Sequence, residues 1–216
     1  MRFSGVIFDL DGTLLNTIED IAETINLVFG RRGYPPFSIE DCMWMVGDGM
    51  EVLVRKALPG GSGNEALIDE IVQEYREAYS LAWRAHSRPY PGVLELLEAL
   101  KAMGIRSAVL SNKSHAFAEI MTRELLPFDF EIVRGALPGV PFKPDPAAAL
   151  QIASEMDVPP SGFVFVGDAD IDMETARAAG MYPAGALWGF RDAANLKAGG
   201  ASVLLAFPGD LLRLFD

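Results

Sequence analysis

The sequence predicts an α/β fold: a core built on a parallel sheet, with an all-helical cap inserted after the first strand. Three observations carry this. Beyond the punctuating segment Ser87-Arg88-Pro89-Tyr90-Pro91-Gly92, segments of helical and strand character alternate. Such alternation calls for right-handed crossovers and a parallel sheet covered on both faces. Between residues 17 and 86 the apolar spacing is helical throughout. One short apolar run, Val6-Ile7-Phe8, stands before that block. A lone strand cannot stand by itself, so it must join the later sheet, and the helices become an insertion.

Val6-Ile7-Phe8 reads as a buried strand that ends at Gly12-Thr13. Ile18, Ile21, Ile25 and Val28 then recur at helical spacing, and Thr17 with Asp20 resembles a capping box. Gly30 and Gly33 end that helix. Ser38 and Asp41 mark a second start, Gly47-Asp48-Gly49 a turn, and Pro59-Gly60-Gly61-Ser62-Gly63 a loop. Ile68, Ile71, Val72, Tyr75, Tyr79 and Ala82 form the stripe of a long helix. After residue 92, helices near 93–103, 116–125, 146–156 and 171–179 each precede a strand, at 105–110, 130–133, 163–166 and 183–187. Residues 203–206 add an edge strand or an interface. The expected division is a Rossmann-like core of 1–15 and 90–216 and a helical cap of 16–89, hinged near 15–17 and 87–91.

Composition excludes several classes. The 216 residues carry 18 Lys and Arg against 30 Asp and Glu, a net charge of −12. No nucleic-acid partner is expected, because nothing would replace the counterions on the phosphate backbone. A small phosphorylated ligand is not excluded, but it needs a local positive site. No apolar run approaches the roughly 18 residues that cross a bilayer, so no membrane partner is expected. The start Met1-Arg2-Phe3-Ser4-Gly5 lacks a signal-peptide layout. Cys42 is the single cysteine, so no intrachain disulfide forms and a cytoplasmic address is expected. The chain reads as a monomer or a homodimer.

In open parallel sheets ligands bind beyond the carboxyl ends of the strands. Four polar groups fall there: Asp9-Leu10-Asp11, Ser111-Asn112, Lys143 and Gly167-Asp168. Asp9 and Asp11 lie on one side of an extended segment, and paired carboxylates repel unless a cation or shared proton offsets them. Asp-Gly-Thr is also plain turn chemistry. Asp168, Asp170 and Asp172 follow another apolar strand. Capping of the next helix accounts for one of them, whereas a cluster facing a second acidic strand end needs a hard cation. Oxygen ligands and only two histidines point to Mg²⁺ rather than Zn²⁺. Ser111, beside a helix start, suits a phosphate oxygen or a cap. Lys143, one of five lysines, is held extended by Pro144, as a pointer into a site or a solvated residue before a helix. Cys42 reads as packing, as do Trp44, Trp83 and Trp188, and His86 and His115 belong to no ligand set.

Taken together and in order, these motifs resemble the haloacid dehalogenase superfamily. Phe8-Asp9-Leu10-Asp11-Gly12-Thr13-Leu14 is similar to its first motif, Ser111-Asn112 to its second, Lys143-Pro144-Asp145-Pro146 to its third and Gly167-Asp168-Ala169-Asp170-Ile171-Asp172 to its fourth. The resemblance spans essentially the whole chain. Val46-Gly47-Asp48-Gly49, with Leu53 and Arg55-Lys56-Ala57-Leu58, looks like the phosphoglycolate phosphatase subfamily. Two positions depart from the common pattern: Ala169 stands where many relatives have Ser, and Asn16 where Asp is common.

The resemblance implies a two-step phosphomonoester hydrolysis. Asp9 attacks phosphorus to give an aspartyl-phosphate, and Asp11 gives a proton to the leaving oxygen and takes one from water. Mg²⁺ would be held by Asp9, the main-chain carbonyl of Asp11 and Asp168, with Asp172 in support. Ser111 and Asn112 would hold phosphate, Lys143 would neutralise phosphate and Asp9, and Gly47 and Gly49, or Arg55, would meet the substrate from the cap. A small metabolite such as 2-phosphoglycolate is the expected substrate. A sugar-phosphate mutase of the same superfamily and a non-catalytic phospho-acceptor module are the alternatives. A dehalogenase gives Asp11 no role. A dinucleotide site lacks its Gly-rich loop after the first strand.

Overall fold

The computed structural model describes residues 3–61 and 63–215; Met1 and Arg2, and Ser62 of the expected 59–63 loop, lie outside the described residues. The core is a six-stranded, all-parallel sheet: β1 (Gly5–Phe8), β4 (Arg106–Ser114), β5 (Ile132–Ala136), β6 (Phe163–Gly167), β7 (Tyr182–Ala186) and β8 (Val203–Leu205), in the order β5-β4-β1-β6-β7-β8. The first strand thus joins the sheet at its centre, with Ile7 paired to Ala108 on one side and Phe165 on the other. All four β1 residues are buried, as expected for a strand covered on both faces.

Side-chain alternation divides the core into two layers. Val6, Phe8, Val109, Val164 and Val166 pack on one face with α5 (Val93–Ala102) and α6 (His115–Leu125). Ile7, Ala108, Leu110, Phe163 and Phe165 pack on the other with α7 (Ala147–Glu155) and Ala176 of α8 (Asp170–Ala178).

Between β1 and β4 lie the helices α1 (Ile18–Gly30), α2 (Ile39–Met45), α3 (Met50–Ala57) and α4 (Glu65–Ala82). Chain enters and leaves this segment through a two-stranded antiparallel ribbon, β2 (Leu15–Asn16) with β3 (Arg88–Pro89). Ser38 begins α2 with a capping box closed by Asp41, as its spacing predicts.

Several boundaries and roles depart from the sequence reading. Thr17 and Asp20 do not form a capping box: Thr17 makes no side-chain cap bond, and its hydroxyl donates to Asp11 Oδ1 at 2.7 Å. Asp20 instead faces the returning chain at Ser87. β4 runs on to Ser114, well past Leu110. β5 begins at Ile132 because Phe128 and Phe130 first pack against each other, ring centroids 4.7 Å apart. A ninth helix, α9 (Ala193–Gly199), was not anticipated. Trp44 is 53% exposed and lies outside the core, whereas Trp83 is buried. Cys42 is buried, and burial pushes its thiol up to about 11, so it is an inert packing residue. Among the described residues no helix is long and apolar enough to cross a membrane.

Candidate active site

The strand order places the carboxyl ends of β1, β4 and β6 side by side, so residues far apart in sequence converge there. Asp9 follows β1, and its N–H donates to the Val166 carbonyl of β6 at 2.9 Å. Asp168 follows β6, and Asp172 lies in the first turn of α8. One oxygen from each of Asp9, Asp168 and Asp172 lies within 4.8 Å of the others, and all three residues are buried.

The close approach is built by glycine. Gly12 has φ +86°, and a Cβ there would overlap the Asp168 carboxylate. A Cβ on Gly167 would overlap Asp172 in the same way. A side chain at either position would push the acids apart.

Each acid is held by specific donors. Asp168 accepts from Thr13 Oγ1 and from the Phe190 N–H, both at 2.8 Å. Asp172 accepts from Lys143 Nζ at 2.6 Å and from the Ala169 N–H at 3.1 Å, so it also caps α8. Lys143 Nζ lies 2.9 Å from Asp9 Oδ1 as well. That approach makes an ion pair without an aligned hydrogen bond, and Asp9 Oδ1 is buried with no hydrogen-bond partner among the described residues.

Three buried carboxylates therefore face one ammonium, and the electrostatics register the excess. Burial pushes Asp9 up to about 7, with Asp172 and Asp11 adding to the rise and Lys143 opposing it. Burial likewise pushes Asp168 up to about 8, helped by Asp9 and Asp172 and opposed by the Phe190 and Thr13 donors. For Lys143, burial alone would lower the ammonium; Asp172 and Asp9 outweigh it and hold the group above its ordinary value. A buried, net-negative cluster of carboxylate oxygens fits a hard divalent cation.

The carboxylate of Asp11 stands outside the cluster. It accepts from Thr17 Oγ1 and, through both oxygens at 3.1 Å, from Lys113 Nζ. Lys113 also donates to Tyr79 OH at 3.0 Å, on α4 of the helical segment. Ser111 is buried, and its Oγ accepts from the Lys113 N–H at 3.2 Å. The Asn112 side chain is spent on the main chain: it donates to the carbonyls of Gly47 and Lys143 and accepts from the Lys143 N–H. It thereby fixes both the Lys143 loop and the Gly47 loop.

A cavity of about 70 Å³ opens above these groups. Asp9, Asp11, Ser111, Asn112, Asp168 and the cations Lys113 and Arg191 are on its polar side, and Gly47 and Gly49 line it from the helical segment. Both glycines have positive φ, +127° and +92°. Lys143 lies beneath the cavity rather than on its wall, 4% exposed. Val46, Leu53 and Tyr75 supply apolar wall.

The structure thus assembles Asp9, Asp11, Ser111, Asn112, Lys143, Asp168 and Asp172 with the two cap glycines. It does not bring Arg55 in: that side chain pairs with Glu51 and Glu65 on the outside of the helical segment. Sequence reasoning missed Lys113, Thr13, Thr17, Tyr79 and Arg191. One signal was available for Lys113. Had the strand been carried past Leu110, alternation would have set Ser111 and Lys113 on one face.

Known proteins agree with this geometry. Residues 6–186 match the family model for haloacid dehalogenase-like hydrolases. The chain is 35% identical over 184 residues to the phosphoglycolate phosphatase of Thiobacillus denitrificans, covering 83% of this chain and 81% of that one. It is 31% identical over 216 residues to phosphoglycolate phosphatase 1 of Pseudomonas aeruginosa, covering 98% and 79%. A crystal structure from Lactobacillus delbrueckii subsp. bulgaricus, provisionally named a phosphoglycolate phosphatase, superposes with TM-score 0.93 at 28% identity over 99% of this chain and 98% of that one. The sheet order, the acidic strand ends and these matches agree: the chain belongs to the haloacid dehalogenase-like hydrolases and stands among their phosphatases.

Proposed function

We propose that the protein hydrolyses a small phosphomonoester with the help of Mg²⁺, through an aspartyl-phosphate on Asp9, and that its substrate is 2-phosphoglycolate or a metabolite of that size. The observation that carries this is the buried cluster of Asp9, Asp168 and Asp172, three carboxylates with one ammonium, Lys143, among them.

Asp9, Asp168 and Asp172, with the main-chain carbonyl of Asp11, would hold the ion. When bound, it offsets the repulsion between the carboxylate and an incoming phosphate. Asp9 then supplies the attacking oxygen and splits one very slow hydrolysis into two steps. Asp11 carries the proton to the leaving oxygen and later takes one from water. Lys113 and Thr17 fix the position of its carboxylate, which as an acceptor of these bonds is set to take the proton from water. Ser111 Oγ and the neighbouring N–H groups orient the phosphate oxygens. Lys143 keeps Asp9 and Asp172 compatible at close range.

The helical segment acts as a cap that excludes bulk water. The cavity, about 70 Å³, suits a small leaving group. The reading fits a cytoplasmic metabolic enzyme.

The test is phosphate release from a panel of small monoesters, phosphoglycolate included, with Mg²⁺ and with chelator, on the unaltered protein and on Asp9→Asn. Ion-dependent turnover that Asp9→Asn abolishes supports the reading. Preference for phosphoglycolate by about tenfold or more in kcat/KM supports the substrate. A bisphosphate-primed transfer between sugar hydroxyls, without net phosphate release, would move the assignment to a mutase.

A further inference from the structure

One core side chain holds the end of α2. Arg191 lies between β7 and α9 and is 9% exposed. Its guanidinium donates to the carbonyls of Met43, Trp44 and Val46, the last at 2.9 Å. The Trp44 ring covers it, 4.8 Å from the ring centroid. These carbonyls belong to the last turn of α2 and the residue that caps it, where oxygens lack partners within the helix and the dipole is negative. The guanidinium reaches these carbonyls from two nitrogens, Nη1 to Met43 and Nη2 to Trp44 and Val46, a spread that the single nitrogen of a lysine does not reproduce.

The same short stretch is tied to the acidic cluster. Trp188 Nε1 donates to the Thr13 carbonyl at 2.9 Å, and the Thr13 hydroxyl holds Asp168. A Cβ on Gly189 would overlap Asp168 and the Gly12 carbonyl. The Phe190 N–H donates to Asp168. Four consecutive residues therefore run from the cluster to the helical segment. On the opposite flank Asn112 holds the Gly47 carbonyl at 3.0 Å. Val46, Gly47 and Gly49, which line the cavity, are pinned between these two core contacts.

We propose that Arg191 is a positioning residue: it docks the 46–49 loop over the cavity and so sets how large a leaving group the site accepts. This rests on the phosphatase reading. Without the guanidinium, the α2 end loses its three-carbonyl anchor, the loop lifts and the cavity opens. Selectivity then falls while the acids at the strand ends stay in place.

The experiment measures kcat and KM for phosphoglycolate and for the bulkier p-nitrophenyl phosphate on the unaltered protein, Arg191→Ala, Arg191→Lys and Trp44→Ala. Amide hydrogen exchange is followed over residues 42–50. The kcat/KM ratio of small to bulky ester falls by about tenfold or more in Arg191→Ala, chiefly through KM for the small ester. Arg191→Lys does not rescue the ratio. Trp44→Ala removes a half-exposed ring, keeps the fold and shifts the ratio the same way by less. Exchange over 42–50 quickens in the Arg191 variants while β1 and β6 stay protected. An unchanged ratio, or equal loss on both esters, would overturn the proposal. Inactivity of the unaltered protein on both esters would sink the phosphatase reading, and this inference with it.

Discussion

Asp20 clasps Ser87 across the two chain crossings that join the helical segment to the sheet. Its carboxylate accepts from the Ser87 N–H at 2.8 Å, the Ser87 hydroxyl at 2.6 Å and the His86 N–H at 2.9 Å. Both residues are buried, Asp20 at 1% and Ser87 at 7% exposure. The clasp sits beside the β2–β3 ribbon, so it fixes where the helices leave and rejoin the core.

Asp20→Ala removes an acceptor of three bonds and leaves the Ser87 N–H and hydroxyl buried without that partner, while the His86 N–H, on an exposed residue, can turn to water. Charge-assisted bonds of this kind contribute roughly 1.5–3 kcal/mol each, non-additively. The expected loss is about 3 kcal/mol in urea unfolding. Were Asp20 a simple helix cap, as its spacing with Thr17 suggests, the loss would be nearer 1 kcal/mol.

Gly12→Ala tests the packing beneath the cluster. The position has φ +86°, and the added Cβ meets the Asp168 carboxylate. Backbone strain at such a φ costs roughly 1–3 kcal/mol. The variant loses divalent-ion affinity, read by calorimetry, because Asp168 must move. Gly104→Ala is the control: its φ is +71°, but nothing lies near its added Cβ, so only the strain remains.

Lys143→Met strips the counter-charge from Asp9 and Asp172. Removing one partner of a buried ion pair costs roughly 3–5 kcal/mol. Denaturant unfolding of the metal-free protein gives the number. Glu131, paired with Arg106 at the surface, is the contrast: Glu131→Gln costs under about 1 kcal/mol.

The pH dependence of the metal-free protein follows from Asp9 and Asp168. Their carboxyls titrate near 3.8 when unfolded and near about 7 and about 8 when folded. Over that window the folded state binds more protons than the unfolded chain, so the contribution of these groups to stability falls as pH rises. It is fully present below about 3.8 and gone above about 8. Urea midpoints in chelator should therefore drop between mildly acidic and mildly alkaline pH. Adding Mg²⁺ should recover most of the drop at the alkaline end, because the ion replaces the lost protons.

Much of this was legible in the sequence, for identifiable reasons. Val6-Ile7-Phe8 announces a doubly covered strand, and acids and a serine at strand ends mark the mouth of a parallel sheet. Lys143 was legible through the resemblance of Lys143-Pro144-Asp145-Pro146 to the family's third motif; Pro144 by itself left a solvated lysine open. Lys113 and Arg191 were not, because their partners, Asp11 and Tyr79 for the one and Met43 to Val46 for the other, lie 34 to 148 residues away and only tertiary docking supplies them. Asp20 misled because capping spacing and a long-range clasp use the same residue. α9 escaped because Leu196 is its single large buried side chain, too little for a helical stripe.

The account stands on phosphoryl transfer to Asp9. The most direct measurement quenches the enzyme during turnover of phosphoglycolate with Mg²⁺, treats it with borohydride and maps the product by mass spectrometry. An aspartyl-phosphate is reduced to homoserine, so the account predicts homoserine at residue 9 in the presence of substrate and unmodified aspartate in its absence. Full turnover with residue 9 unmodified, or with the modification at Asp11 or Asp168 instead, would contradict it.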